Sequence, residues 1–129
     1  MSHTVKIQTK FKNENFNAFR RALEHHGWTL KENDKARTYP GDPAQHTNYP
    51  FVAVNPQANG YDIGLRVEEG DISVFCDFYG GSITKTLGQD LNELRKEYAF
   101  RVIEERLANE GYSVSRTINQ DGTVDVVAE

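Results

Sequence analysis

The sequence has one cysteine, Cys76, and no apolar run that approaches the roughly 18 residues of a membrane span. A lone thiol cannot form an internal disulfide, and it fits a reducing compartment. Residues 1–6 lack the apolar segment of a secretory signal. We therefore expect a cytoplasmic location and no membrane partner.

Cationic side chains are in the minority. Lys and Arg number 15 against 19 Asp and Glu, which gives a net charge of −4. Binding to a phosphate backbone relies on clustered cations. For this reason a nucleic-acid partner is not expected.

The sequence also lacks motifs for metals, phosphates and nucleophilic catalysis. Its four histidines and Cys76 show no zinc-type spacing, and the neighbours His25 and His26 project about 100° apart on a helix. No Walker pattern, no G-x-G-x-x-G after a strand and no Gly-x-Ser-x-Gly elbow occurs. Because Cys76 alternates with apolar residues, we interpret it as a small buried hydrophobe. The sequence predicts no metal site, no cofactor and no catalytic residue, and it leans away from an enzyme.

Hydrophobic periodicity predicts an α+β fold. Alternating, strand-like runs cover residues 3–11, 28–32, 51–54, 63–67, 72–78, 112–118 and 124–128, and helical stripes cover 16–26 and 87–103. Alternation of polar and apolar residues implies that one sheet face is covered. We predict a single domain over 1–129, with a mainly antiparallel β-sheet, two helices packed on one face and the order β-α-β-strands-α-β-β. Residues 33–50, with three prolines and no periodicity, are predicted to form a long polar loop.

One hairpin has a register that can be predicted from the sequence. Folding the chain about Glu69-Gly70 pairs Val67 with Ile72 and places every apolar side chain of the hairpin on one face. The same register brings Asp62 opposite Asp77. Like charges at that spacing are unfavourable. We expect either that both carboxylates turn into water or accept turn hydrogen bonds, or that they are compensated by Arg66 or His3, a shared proton or a bound cation.

The order and spacing of several segments resemble one known family. They are Met1-Ser2-His3, Ala22-Leu23 with Gly27-Trp28, Tyr39-Pro40-Gly41-Asp42, Asp62-Ile63-Gly64-Leu65-Arg66, Asp77-Phe78-Tyr79-Gly80, Tyr98-Ala99-Phe100, Gly111-Tyr112-Ser113-Val114 and Asp121-Gly122-Thr123. The chain is similar to the uncharacterised cyanobacterial and plastid family known as hypothetical chloroplast reading frame thirty-five. The resemblance implies a cytoplasmic or stromal protein, from a cell or from a virus of cyanobacteria, and it supplies no reaction or cofactor. The chain departs from the family pattern at Arg101, where a histidine is expected, and at Leu107, where an alanine is expected.

We interpret the chain as a non-catalytic accessory or protein-interaction module with a protein partner. The candidate binding surface comprises His3, Tyr39, Asp62, Arg66, Phe75, Asp77, Tyr79 and Phe100. Tyr39 is expected to pack onto the rest of the molecule. Phe100 lies about 180° from the apolar stripe of its helix, so it is expected to contact the long loop or a second copy in a homodimer.

Two other functions use parts of the same surface. A ligand-binding protein or small enzyme would use Asp62, Asp77, Arg66 and His3. An RNA-binding module would use Phe75, Tyr79 and Arg66, because aromatic rings and arginine stack exposed bases. A closed pocket beside the carboxylates favours the first, an open cationic sheet favours the second, and an exposed apolar patch favours protein interaction.

Overall fold

The computed structural model describes residues 5–7, 11–121 and 124–129. In these ranges the strands are β1 (Val5–Ile7), β2 (Thr29–Lys35), β3 (Asn48–Val54), β4 (Ile63–Glu68), β5 (Asp71–Cys76), β6 (Val114–Ile118) and β7 (Val124–Ala128). The α-helices are α1 (Phe16–His25), α2 (Thr84–Leu87) and α3 (Asn92–Asn109). No helix in the described part of the chain is long and apolar enough to cross a membrane.

Five strands form one antiparallel sheet in the order β1-β5-β4-β3-β2, and β6 pairs with β7 in a separate two-stranded sheet. The main core joins apolar residues of β4 and β5 to residues of α1, α2 and α3. A smaller cluster of Ala36, Tyr49 and Val52 lies apart from that core. The predicted α+β class is therefore confirmed. We call the sheet face that carries Tyr49, Gly64, Arg66 and Phe75 the outer face.

The predicted hairpin register is confirmed. Val67 pairs with Ile72, Leu65 with Val74, and Gly64 with Phe75. Glu69 and Gly70 both have positive φ, 52° and 81°, which is the backbone form of tight hairpin turns.

The second helix differs from the prediction, which ran it unbroken from Leu87. The chain instead forms the single turn α2, then breaks at Gly88 (φ 82°), and Leu91 takes a φ of 62° before α3 begins. Leu87, Leu91 and Leu94 are all fully buried. The apolar spacing survives the break because each leucine still reaches the same core.

Trp28 fixes how the helices meet the sheet. Its side chain is fully buried, and its indole N–H donates a hydrogen bond of 2.8 Å to Thr86 Oγ1. A buried indole requires such a partner. This contact joins the start of β2 to α2.

A buried carboxylate attaches the β6–β7 hairpin to the helices. Glu97 of α3 is 5% exposed and accepts two hydrogen bonds from Arg116 of β6 (2.6 and 3.0 Å) and one from Arg101 (2.8 Å). The Arg116 guanidinium also lies 4.1 Å from the centre of the Phe100 ring. Phe100 is therefore 8% exposed and covered by a cation from β6, a contact that we did not expect from the sequence.

The charge state of this cluster follows from its surroundings. Burial raises the pKa of Glu97, but the hydrogen bonds and charges of Arg116 and Arg101 outweigh it and hold the pKa below its ordinary value. His25 Nε2 lies 3.6 Å from Glu97. Burial lowers the pKa of His25 more than Glu97 raises it, so the histidine is neutral at pH 7 and the two arginines supply the positive charge.

We expect Glu97→Gln to destabilise the fold by about 2 kcal/mol, since it removes the negative charge and replaces one of the two acceptor oxygens that the arginines share with an N–H donor. Urea unfolding followed by circular dichroism measures this loss. Glu93→Gln, at an exposed glutamate one turn earlier on α3, is the matched control and should change stability by less than about 0.5 kcal/mol. Equal effects of the two substitutions would contradict the assigned role.

The contact of Glu97 with the two arginines also predicts a pH dependence. Because the folded-state pKa of Glu97 is depressed, its carboxylate stabilises the fold at pH values above 4.5, its ordinary pKa. This stabilisation is lost as the pH falls through the folded-state pKa. The stability gap between the natural chain and Glu97→Gln should be constant above about pH 7, where His25 is neutral, and should shrink as the pH falls below about 4.5. A gap that stays constant down to acid unfolding would refute it.

Candidate functional site

An ion pair between the buried Asp62 and the partly exposed Arg37 fastens the long loop to the sheet. Asp62 has a side chain that is 1% exposed, and it accepts hydrogen bonds from Arg37 Nε (3.0 Å), Arg37 Nη2 (2.8 Å) and the Arg37 backbone N–H (2.9 Å). The backbone N–H of Asn55 donates a further bond of 2.9 Å. In return the Asp62 N–H donates to the Arg37 carbonyl at 2.8 Å. Both oxygens of Asp62 therefore have donors.

Arg37 also binds the turn between β3 and β4. Its guanidinium donates to the carbonyls of Asn55 (2.9 Å), Gln57 (3.2 Å) and Ala58 (2.6 Å). The compensating cation for Asp62 is thus Arg37, and the prediction of Arg66 in this role was wrong. His3, the other predicted candidate, lies outside the described residues.

The loop is shorter than predicted and ordered by its own contacts. Strands β2 and β3 extend into the predicted loop from both sides, which leaves residues 36–47 as the connection. A short 3-10 helix, Pro43–His46, lies within it. Asp42 caps that helix, since its Oδ1 accepts from the Ala44 N–H at 2.9 Å and its Oδ2 from Thr38 Oγ1 at 3.3 Å.

A cleft lies between this loop and the outer face. It has a volume of about 580 Å³, is open to solvent, and is lined by Asp42, Pro43, Ala44, Thr47, Tyr49, Arg66, Glu68 and Phe75. The rings of Tyr49 and Phe75 are 5.5 Å apart. A Cβ at Gly64 would lie 2.6 Å from the Tyr49 ring, so the missing side chain of Gly64 is what lets Tyr49 approach the sheet this closely. Phe75 is the cross-strand partner of Gly64, but the ring that covers Gly64 is that of Tyr49.

Arg66 lies at the rim of the cleft. Its guanidinium carbon is 6.0 Å from the centre of the Phe75 ring, and its side chain is exposed. Among residues 5–7, 11–121 and 124–129, no carboxylate lies within ion-pair distance of it. The edge of the guanidinium therefore remains available for an external acceptor.

A tyrosine cluster lies at the end of the sheet beside the cleft. Tyr39 of the loop and Tyr79, which follows β5, meet edge to face with ring centres 5.8 Å apart. This contact fulfils the expectation that Tyr39 packs onto the molecule. Burial first, and then the nearby Asp77 carboxylate and the hydroxyls of Tyr39 and Tyr79, raise the pKa of Tyr61. The three phenols and Asp77 thus share one neighbourhood, which we call the tyrosine cluster.

Asp77 is the buried acid of this cluster. It is 4% exposed, and its Oδ1 accepts from the Tyr79 N–H at 2.9 Å. Its Oδ2 is buried and has no hydrogen-bond partner among the described residues. Asp62 and Asp77 each lie one residue beyond the strands of the predicted hairpin, at the same end, but within the described part of the chain only Asp62 has a cation.

The predicted surface residues thus fall into separate places. Arg66 and Phe75 line the cleft; Tyr39, Tyr79 and Asp77 form the tyrosine cluster; Asp62 holds the loop; and Phe100 lies under Arg116 on the helical layer. Burial raises the pKa of Cys76 to about 12, so this thiol stays protonated. Within the described ranges, no group of three metal-ligating side chains comes together.

Sequence reasoning missed Arg37, Tyr49 and Tyr61. Tyr49 and Tyr61 flank segments that were recognised as strands, and an aromatic beside a strand glycine is a signal that could have identified Tyr49. Arg37 carried no such signal, since its partner lies 25 positions away.

We expect Arg37→Ala to destabilise the fold by about 3 kcal/mol, because Asp62 would be left buried without its cation. Arg37→Lys should recover only part of the loss, since an ammonium cannot bridge both oxygens and three carbonyls. Chemical unfolding measures the change, and limited proteolysis within residues 36–47 should accelerate. Lys35→Ala, two residues earlier at an exposed position, is the control. Wild-type stability in Arg37→Ala would overturn this account of the loop.

Comparison with known proteins places the chain in a family. The family described as "Protein of unknown function (DUF1257)" matches residues 22–127. The chain is also 25% identical over 130 residues to "Uncharacterized protein ycf35" of Cyanophora paradoxa, covering 100% of this chain and 97% of that protein. No solved structure matches the chain. The chain belongs to the DUF1257 family of proteins of unknown function, as the resemblance to the chloroplast reading frame had indicated.

Proposed function

We propose that this protein is a non-catalytic protein-interaction module that binds an extended segment of a partner in the cleft between residues 36–47 and the outer face. The observation that carries the proposal is the arrangement of Arg66 over Phe75 beside Tyr49. Arginine and tyrosine are enriched among residues that dominate binding energy at protein interfaces.

The chemistry of the cleft indicates what the segment contains. An arginine stacked on an aromatic ring can still donate two parallel hydrogen bonds from its N–H edge to a carboxylate. Phe75 and Tyr49 provide an apolar floor next to that edge. The fitting occupant is therefore a peptide that carries an acidic residue next to an aromatic or large aliphatic one.

The other charges of the cleft argue against RNA. Asp42 and Glu68 line it together with Arg66, so the described lining shows no excess of cations. Phe75 and Tyr79 do not form a common stacking platform, because Tyr79 lies against Tyr39 in the tyrosine cluster. Phosphate-backbone binding needs an excess of cations over the contact surface.

A small anionic aromatic ligand is the second candidate. The cleft volume of about 580 Å³ falls within the range of small-molecule sites. The same pair of contacts, carboxylate on Arg66 and ring on Phe75, would hold such a ligand. Catalysis on Asp62 is disfavoured, since its oxygens are occupied by Arg37 and Asn55.

Selection of peptides from a random display library tests the proposal. We expect enrichment of sequences with an acidic residue beside an aromatic or large aliphatic residue. Arg66→Glu should lower the affinity for the selected peptides by tenfold or more, because it removes a charge-assisted pair and adds repulsion. Phe75→Ser should weaken them comparably.

Arg106→Glu makes the same charge change at an exposed position of α3 and is the matched control. It should leave peptide affinity unchanged. A second outcome is that no peptide is enriched, but benzoate-like compounds bind to the natural chain and not to Arg66→Glu. That outcome would support the small-ligand function instead. Peptides that bind Arg66→Glu and the natural chain equally would refute the cleft as the binding surface.

A further inference from the structure

We propose that the tyrosine cluster, formed by Tyr39, Tyr61, Tyr79 and Asp77, is a binding site for a primary ammonium group, supplied by a lysine side chain of a protein partner. The assignment of the ammonium group to a partner's lysine rests on the proposed function as a protein-interaction module. The affinity for the ammonium group follows from the cluster alone and can be measured without a partner.

The first support is the buried acid. Four carboxylates of the described chain are buried: Asp42, Asp62, Asp77 and Glu97. The hydrogen bonds already described serve both oxygens of Asp42, Asp62 and Glu97. Only Asp77 has an oxygen, Oδ2, that is buried without a donor. Leaving a charged acceptor buried and unpaired is costly, so a donor from outside the chain is the missing element.

The second support is the ring arrangement around that acid. The Tyr39 and Tyr79 rings are set nearly perpendicular, at 84°, and so present differently oriented faces. Both are exposed, at 38% and 60%. Aromatic faces attract cations through their quadrupole. Tyr79 also donates its backbone N–H to Asp77, so aromatic faces and a carboxylate occur together in this neighbourhood, and both attract an alkylammonium group.

The third support is that side chain–backbone hydrogen bonds hold the segments of the site together. Tyr39 follows the anchored Arg37, while the Tyr61 N–H donates to Ser82 Oγ at 3.0 Å. Asn55 Nδ2 donates to the carbonyls of Tyr61 (3.0 Å) and Ser82 (3.2 Å). The turn that carries Tyr79 is thereby tied to the segment that carries Tyr61.

The type of cation follows from Oδ2. An acceptor without a donor selects a cation that bears N–H groups, and a quaternary ammonium has none. An ammonium group is also more compact than a guanidinium. The smaller cation is therefore better suited to reach a buried oxygen beside aromatic residues. Tyr79 is the most exposed ring and follows Asp77 by two residues, so its side chain is the one that can turn aside to admit the ligand.

The cluster adjoins the cleft. Asp77 follows Phe75 of the cleft by two residues along the direction of β5, so their Cα atoms lie about 7 Å apart. Tyr39 and Asp42 of the loop contribute to the two sites in the same way, and the Asp42 N–H donates to the Tyr39 carbonyl. One partner segment can therefore place an acidic residue on Arg66 and a lysine at Asp77.

Titration with n-butylammonium chloride, followed by NMR of ring-labelled tyrosines, tests the site. We expect saturable shifts of the Tyr39, Tyr61 and Tyr79 signals, with Tyr98 and Tyr112 as internal references, over a background of equal sodium chloride. The isosteric alcohol n-butanol should give no saturable shift. n-Butyltrimethylammonium should bind more weakly than n-butylammonium. Asp77→Asn should weaken n-butylammonium binding about tenfold or more, the effect of losing a charge-assisted hydrogen bond.

Asp71→Asn, at an exposed aspartate on the other end of β5, is the matched control and should not change the titration. If Asp77→Asn fails to fold, Tyr79→Ala replaces it, since the exposed Tyr79 ring is not needed for the core, and it should weaken n-butylammonium binding by removing one of the two ring faces. Absence of saturable shifts, equal binding of n-butanol, or tighter binding of the quaternary ion would each overturn the proposal. Because no peptide is used, these outcomes are independent of whether the cleft binds its partner.

Discussion

The pairing of Arg37 with Asp62 is the contact on which the proposed binding surfaces depend. It unites a fully buried carboxylate, a guanidinium and backbone groups of two segments that are 25 positions apart. Burying the carboxylate is costly unless its lone pairs find donors. Here the fork of Arg37 serves both oxygens of Asp62 and the remaining N–H groups reach three carbonyls. The pair therefore specifies one position for the loop rather than simply adding stability.

That position determines two surfaces at once. Tyr39 comes two residues after Arg37 and meets Tyr79, while Asp42 lies three residues further on and lines the cleft. Tyr61 precedes Asp62 directly and is held by the same anchor. Without this attachment the loop would lose its charged anchor to the start of β4, because the cap at Asp42 is internal to the loop. The tyrosine cluster and the cleft are thus coupled through one ion pair.

How much of this is predictable from the sequence depends on the range of the interaction. The β4–β5 register followed from a period of two, since a slip of one residue would expose Leu65 and Val74. The break at Gly88 was not predictable, because Leu87, Leu91 and Leu94 keep a helical spacing on both sides of it. Pairs that join distant segments, such as Arg37 with Asp62, leave no periodic trace. Tyr39, Asp77 and Tyr79 were each predicted as surface residues. Their assembly with Tyr61 was not predicted for the same reason, since the members come from three separate turns.

Arg101 shows how the same charge logic separates structure from function. The family resemblance led us to expect a histidine at this position, which raised the question of whether a functional group had been lost. In this structure Arg101 binds Glu97 at 2.8 Å and Glu104 at 3.2 Å, and with Arg116 it neutralises the buried acid that holds the β6–β7 hairpin. A histidine there would titrate near neutrality, whereas arginine keeps its charge at any physiological pH. The position contributes to the attachment of the hairpin on the helical layer. It lies apart from the cleft and the tyrosine cluster, so its change does not alter the groups on which the proposed binding rests.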